Sequence, residues 1–341
     1  MSSLKIGVIG CGSIAQHRHL PEYESNKNVE IVAVCDIVEE RARKTAEKYG
    51  AEAYTSYKEL LSNHEVEAVS VCTPNYLHAP ISIAALNAGK HVLCEKPMAT
   101  SAEEAENMIA AAEKSGKKLM IAHNQRFVPS HQKAKELIEK GEVGKIYSFR
   151  TAFGHGGPEG WSADGKDSWF FKKDEAFIGA MGDLGVHKTD LLRYVLGEEF
   201  VEVGAFVETS AKENADVDDT AVCVLKTESG TIGTLAASWS YVSKEDNSTI
   251  IYGEKAILRL EDDPVHSLVV QYATGEVVRY ELGGIQTNDD EGQTNSRVID
   301  QFVQSVLGDT EPPVSGREGM RSLQVVLSAL QSNETKTIVK L

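Results

Sequence analysis

The stretch "LKIGVIGCGSIA", Leu4–Ala15, decides the fold. Its first half is a short apolar run of strand-forming residues. Its second half places Gly10-x-Gly12-x-x-Ala15 just ahead of helix-forming sequence. Strand, glycine turn and helix in that order form the phosphate-cradling turn of a dinucleotide-binding βαβ unit. Gly10 permits the tight turn, Gly12 lets a pyrophosphate approach the backbone, and Ala15 lets the helix pack close to the sheet. The helix start, at Ser13 and Ile14, offers free N–H groups and the positive end of a helix dipole to the phosphates. A purely structural turn is the competing reading, and the strand–turn–helix context speaks against it.

The same alternation continues downstream. "VEIVAVCD" reads as a second strand, "VEERARKTAEKYG" as a polar helix ending at Gly50, and "EAVSVCTP" as a third, buried strand. "HAPISIAALNAG" is an apolar helix closed by Gly89, and "KHVLCEKP" a fourth strand stopped by Pro97. "SAEEAENMIAAAEKSG" is a helix with a Ser101 cap and a carboxylate three residues on, and "KKLMIAHN" is a fifth strand. Such alternation predicts a parallel, doubly wound α/β sheet. Asp36 ends the second strand, 24 residues after Gly12, where a carboxylate accepts bonds from the adenosine ribose hydroxyls. It would repel a 2′-phosphate, and Ile37 stands where a phosphate site would prefer Arg or Ser, so NAD is expected rather than NADP. The competing reading of Asp36 is a cap for the next helix.

After "HNQRF" the pattern changes. A helix over about 130–140 precedes the strand "GKIYSFRTAF", a long Gly- and aromatic-rich loop over 154–178, and a helix from Met181 to Leu196. Period-two runs follow: "FVEVGAFVET", "TAVCVLKT", "TIGTLAASWS", "STIIYGE", "SLVVQYAT" and "EVVRYEL". They predict an antiparallel or mixed, open-faced sheet. Two helices near 296–307 and 317–331 close the chain. The expected division is a nucleotide-binding domain over 1–122 and a substrate and oligomerisation domain over 123–341.

Composition bounds the function. With 341 residues, 41% hydrophobic and 25% charged, the chain has the make-up of a two-domain globular protein. Its net charge of −16 argues against a nucleic-acid binder. Residues 1–122 carry 13 Lys/Arg and 16 Asp/Glu, a net of −3, which leaves −13 on the remainder. Five scattered cysteines without a C-x-x-C pair fit reduced thiols in the cytoplasm and remove the usual thiolate zinc site. The N-terminus enters a strand at once, so no signal peptide is expected, and no apolar run reaches the length of a membrane span. The sequons at Asn247 and Asn333 are therefore not expected to matter.

The candidate chemistry clusters at strand ends, where parallel sheets bind ligands. Thr73, Pro74, Asn75 and His78 follow the third strand and can line a nicotinamide riboside; for His78 a solvent-facing helix position is the alternative. Glu95 and Lys96 end the fourth strand, and Asn124 and Arg126 follow the fifth at the cleft, where Asn124 is expected to touch the cofactor and Arg126 the substrate. His17 and His19 read as surface or supporting residues. In "GAMGDLGVHKTDLLRY", Asp183 and His187 sit four residues apart and share one helical face. A buried hydrogen-bonded pair is one reading of them and a proton-transfer site the other. A metal would need a third ligand, and none is evident. Trp161 and Trp169 can wall a bound ligand or fill a domain interface; His155 and Tyr241 are lesser candidates.

Taken together, "GVIGCGSIA", "CTPNYLHAP", "CEKPMA", "HNQRF" and "GDLGVHKTDLLRY" resemble, in order and across nearly the whole chain, the glucose–fructose oxidoreductase/inositol dehydrogenase/MocA family of NAD(P)-dependent oxidoreductases. The resemblance implies a Rossmann domain joined to a C-terminal α+β domain with a large, mostly antiparallel sheet, whose open face makes dimer or tetramer contacts. It implies that Lys96 contacts substrate and nicotinamide, and that Asp183 and His187 contact the hydroxyls of a sugar or inositol-like polyol. The chemistry agrees. Oxidising a secondary alcohol needs a proton acceptor, for which histidine is suited, and an ammonium to stabilise the developing alkoxide. Hydride transfer itself belongs to the cofactor. Two other functions stay open: a non-catalytic NAD- and sugar-binding regulator, and an NAD-dependent glycosidase.

Overall fold

A computed structural model describes residues 3–283 and 296–341. The first sheet contains β1 (Leu4–Ile9), β2 (Val29–Cys35), β3 (Glu52–Tyr54), β4 (Ala68–Val71), β5 (His91–Cys94) and β6 (Leu119–Ile121). Every pairing is parallel, in the order β3-β2-β1-β4-β5-β6. The chain starts mid-sheet and winds outward first one way and then the other, so the order reverses between β1 and β4. Ligands of such sheets bind at that reversal, beyond the carboxyl ends of the strands. β4 and β6 are wholly buried, as strands covered on both faces are, and the single polar residue in them, Ser70, is hydrogen-bonded to His19 and Tyr23. β3 was not anticipated. It is three residues long with two exposed, too short and too polar for a periodic signal.

A π-helical turn (Ala15–His19) leads into α1 (Leu20–Ser25), followed by α2 (Glu39–Tyr49), α3 (Tyr57–Ser62), α4 (Asn75–Asn87) and α5 (Ala102–Ser115). The expected stops and starts are present. Gly50 ends α2 at φ 67°. Ser101 Oγ accepts from Glu104 N at 3.2 Å, and the Glu104 carboxylate accepts from Thr100 N at 2.9 Å.

The second sheet has nine strands: β7 (Ile146–Gly154), β8 (Phe200–Glu208), β9 (Thr220–Thr227), β10 (Ile232–Ser238), β11 (Thr249–Gly253), β12 (Ala256–Leu260), β13 (Leu268–Tyr272), β14 (Val277–Tyr280) and β15 (Val339–Lys340). Their order is β14-β13-β12-β11-β7-β10-β9-β8-β15, antiparallel except for the parallel pair β7/β10. Burial alternates along β9 and β12, so one face is covered and the other open. The covered face carries α6 (Pro129–Glu139), the short α7 (Lys173–Ala176) and α8 (Val186–Leu196), which a π-helical turn at Met181–Gly185 introduces.

The two sheets are built from separate parts of the chain, residues 4–121 and 146–340, but the packing crosses between them. Val298, Ile299, Phe302 and Val303 of α9 (Val298–Leu307), together with Val314, belong to the core of the first domain. α10 (Gly316–Thr335) joins both cores, Leu323 facing one and Val325, Val326 and Ala329 the other. The chain thus returns to its first domain and clamps the two together around the cleft.

Candidate active site

The glycine turn closes against the sheet. Gly10 has φ 92°, and a Cβ there would lie 2.4 Å from the Cys72 carbonyl oxygen, so only glycine joins β1 to the helix this close to β4. A Cβ on Gly12 would meet no protein atom within 4 Å. Gly12 is therefore not demanded by packing, and the space above it is open to a phosphate. Asp36 Oδ2 accepts from Cys11 N and its Oδ1 from Val38 N, both at 2.9 Å, which rigidly aims the carboxylate beside the turn. Arg41 lies 3.6 Å from Asp36 and 3.1 Å from Asp164 of the aromatic loop.

From this turn a cleft runs between the two sheets. Ser13, Ile14, Thr73, Asn75, His78, Glu95, Lys96 and Asn124 line it from the nucleotide side, and Trp161, Trp169, Asp183 and His187 from the other. Two buried oxygens on the nucleotide side, Thr73 Oγ1 and Asn124 Oδ1, have no protein partner. Buried polar atoms are rarely left so. With the open space at Gly12, these orphans fit a dinucleotide lying along the carboxyl edge of the first sheet.

His78 is buried rather than solvent-facing. Its ring nitrogens lie 2.7 and 2.8 Å from the carbonyl oxygens of Pro97 and Thr73, tying two strand-end loops together. His19 is a supporting residue: fully buried, it reaches Glu95 Oε1 at 2.8 Å and Ser70 Oγ at 3.0 Å. Burial opposes the charge on Glu95, but the His19 hydrogen bond, with His19, Arg18 and Lys96 around it, holds the carboxyl at about 2.

Lys96 and Asp183 meet across the cleft. Lys96 Nζ donates to Asp183 Oδ1 at 2.8 Å and to the Asp183 carbonyl at 2.9 Å. Trp239 Nε1 donates to Asp183 Oδ2 at 3.1 Å from a fully buried position. Sequence reading did not single out Trp239. The one available signal was an indole just past a strand rich in small residues, "TLAASWS". The π-helical turn carrying Asp183 is held by Asp218, whose carboxylate accepts from Gly179 N at 2.8 Å and Met181 N at 2.7 Å. A Cβ on Gly179 would lie 1.8 Å from the Asp218 carbonyl oxygen, which explains this glycine.

His187, the second residue of α8, shares the cleft with Asp183, though no hydrogen bond joins them. Burial, followed by the charge on Lys96, lowers its pKa well below the usual histidine value. The ring is therefore neutral near pH 7, the state of a proton acceptor. Its Nδ1 is sealed in protein without a partner.

Trp161 packs edge-on against Phe170 at 5.0 Å, and Trp169 stacks on the same ring at 3.9 Å. The loop thus forms an aromatic wall of the cleft. Arg126 does not fit its expectation as a substrate contact. It does not line the cleft, and its guanidinium is consumed by a bidentate pair to Asp190, both bonds 2.7 Å, and by Glu318 at 2.9 Å. Among the described residues, no group of three or more His, Cys, Asp or Glu could hold a metal ion.

A parallel six-stranded sheet with a glycine cradle, facing a lysine–aspartate pair and a neutral histidine, defines a dinucleotide-dependent oxidoreductase. Residues 4–123 match the family model described as "Oxidoreductase family, NAD-binding Rossmann fold", and residues 131–259 match the "GFO/IDH/MocA C-terminal domain". The chain belongs to the GFO/IDH/MocA oxidoreductase family, and its first domain binds NAD. It is 29% identical to levoglucosan dehydrogenase of Pseudarthrobacter phenanthrenivorans, over 82% of this chain and 79% of that protein. It is 30% identical to myo-inositol 2-dehydrogenase of Thermotoga maritima, over 99% and 98%. A solved structure of levoglucosan dehydrogenase with NADH and levoglucosan superimposes with a TM-score of 0.87 at 26% identity, covering 100% of this chain and 99% of that one.

Proposed function

We propose that the protein oxidises a secondary hydroxyl of a sugar or cyclic polyol of the levoglucosan or inositol type, with NAD as the hydride acceptor. The observation that carries this reading is the ion pair of Lys96 with Asp183 beside a buried, neutral His187, all lining one cleft. Bound NAD supplies the acceptor carbon for the hydride. The substrate hydroxyl proton passes to His187 Nε2, the ring nitrogen left open when Nδ1 is sealed in protein. Lys96 donates a hydrogen bond to the oxygen as its charge builds, and Asp183, braced by Trp239, holds the ammonium in place. Trp161 and Trp169 give the ring an aromatic wall that excludes water.

Asp36 is the adenosine ribose ligand in this scheme, so NADP should serve poorly. The five cysteines are free and buried, which supports a reducing, cytoplasmic setting. On the open face of the second sheet Phe206, Val222, Val224 and Ile232 are exposed, Phe206 to 70%, and this apolar patch supports a homodimer or homotetramer through that face. Purified protein tested on polyols and aldoses with NAD and NADP side by side should form NADH with at least one of them. Tight sugar binding without NADH formation would favour a regulatory role instead.

A further inference from the structure

Lys188 follows His187 and is fully buried. Its Nζ donates to the Asn247 carbonyl at 2.7 Å and to Thr249 Oγ1 at 3.4 Å, and lies 5.8 Å from the centre of the Phe153 ring. Those partners are neutral, and among the described residues no carboxylate ion-pairs with it; Glu261, Glu245 and Asp246 act on it only from further away. Burial pushes its pKa down to about 7 against the pull of those acids. An ammonium placed so is costly, and an apolar residue would pack the site more favourably. The lysine is explained by what it holds.

Asn247 is the hub. Its Oδ1 accepts from Gln125 Nε2 at 3.3 Å, and its Nδ2 donates to Glu245 Oε1 at 3.2 Å. Gln125 and Glu245 both line the cleft, and Gln125 Oε1 is buried without a partner. The same segment is stitched to β7 through Thr151, whose Oγ1 lies 2.6 Å from Thr249 Oγ1 and donates to the Ser248 carbonyl at 3.1 Å. Lys188 thus connects the helix bearing His187 to two oxygen acceptors on the cleft wall. An unpaired amide oxygen and a carboxylate are the groups that read hydroxyls.

We propose that Lys188 is a positioning residue for substrate recognition: through Asn247 it sets Gln125 and Glu245 on the cleft wall, where they accept hydrogen bonds from the polyol hydroxyls that are not oxidised. This rests on the reading of the cleft as a sugar or polyol site. Without the ammonium the Asn247 carbonyl loses its partner, the segment carrying Glu245 slips, and the acceptors no longer match the hydroxyl pattern.

The test is steady-state kinetics of the wild type, Lys188→Met, Glu245→Gln and the double variant at saturating NAD, on a panel of cyclic polyols and aldoses that includes myo-inositol and levoglucosan. Lys188→Met should raise the substrate KM about tenfold or more while kcat stays within about threefold. NADH affinity, read by fluorescence titration, should stay within about twofold. Glu245→Gln should raise the same KM, and the double variant should raise it by less than the product of the two effects, because both act through Asn247. An unchanged KM in Lys188→Met, a loss confined to kcat, or KM effects that multiply independently would each overturn the proposal. If Lys188→Met does not fold, Asn247→Ala takes its place in the cycle and is judged by the same outcomes. Silence of the wild type on the whole panel removes the polyol reading and this inference with it. Turnover by the wild type with an unaltered variant removes this inference alone.

Discussion

Lys96→Met separates the two tasks assigned to the cleft-spanning ion pair. The substitution keeps the side-chain stem and removes the ammonium that lies 2.8 Å from Asp183 Oδ1. Deleting one partner of a buried pair costs about 3–5 kcal/mol, because the other charge is left uncompensated. Lys96 is 14% exposed and Asp183 keeps its bond from Trp239, which puts the loss at the lower end, about 3 kcal/mol. At roughly 2–4 °C per kcal/mol the melting temperature should fall by about 6–12 °C. Loss of the cation beside the reacting oxygen should lower kcat by about 10²–10³. The double variant Lys96→Met/Asp183→Asn removes the stranded charge, so it should regain most of the stability and none of the activity. Scanning fluorimetry gives the first quantity and NADH absorbance the second. A single variant that melts like the wild type, or a double variant that melts no higher than the single, would refute the electrostatic reasoning. Turnover within about threefold of the wild type would refute the catalytic role.

Acid should destabilise the fold through its buried histidines. Burial lowers His187 and His78, and takes His123 to about 4 and His131 to about 3, so below 6.5 the unfolded chain gains protons that the folded one refuses. His91, taken to about 4, and His155, also lowered by burial, add to the effect. Asp218, raised to about 6 by burial, and Glu22, also raised by burial, work the other way, since their folded forms take the proton first, but they are two groups against six. The melting temperature should therefore decline as pH drops from about 6.5 to about 4, and a flat profile there would contradict the burial of these rings in neutral form. Two glycine substitutions should behave oppositely. Gly179→Ala drives a methyl into the Asp218 carbonyl and should cost about 3 kcal/mol or more. Gly12→Ala meets no protein atom and should leave melting unchanged while weakening NADH binding; unaltered NADH affinity would remove the phosphate cradle from Gly12. Arg126→Met should cost the stability of a broken buried pair, about 3–5 kcal/mol, seen as a lower melting temperature, with the substrate KM within about threefold. A large KM change at full stability would restore Arg126 to the substrate.

The first domain was legible because its signals are local and redundant. Apolar runs of the right length, a Ser101 cap answered by Glu104, and glycines at helix ends each point to one conformation, and their alternation leaves a single sheet type. β3 and β12 escaped because a three-residue strand with two exposed positions carries no period, and β12, hard against β11, is apolar at four of its five positions, so its alternating burial leaves no alternating pattern in sequence. The return of α9 to the first core was invisible for another reason. An amphipathic helix declares that it has a partner but not which one, and contacts such as Asn26 with Asp300, 274 residues apart, leave no trace in composition.

The site divides along the same line. Lys96, Asp183 and His187 stand at positions where polar groups interrupt apolar strands and helices, so the conflict between burial and chemistry exposes them. Arg126 raises the same flag and has a different cause: two carboxylates from α8 and α10 neutralise it, and neither lies near it in sequence. A buried charge therefore announces a partner before it announces a substrate, and only the partner's location decides between them. Lys188 is the case that tests this rule. Its direct partners are a carbonyl, a hydroxyl and an aromatic face, and Glu261, Glu245 and Asp246 act on it only from beyond ion-pair distance, so the paired carboxylates that account for Arg126 have no counterpart here. A cost that packing does not return, one residue from His187 and one bond from an asparagine that holds two groups on the cleft wall, places Lys188 with function rather than with the core.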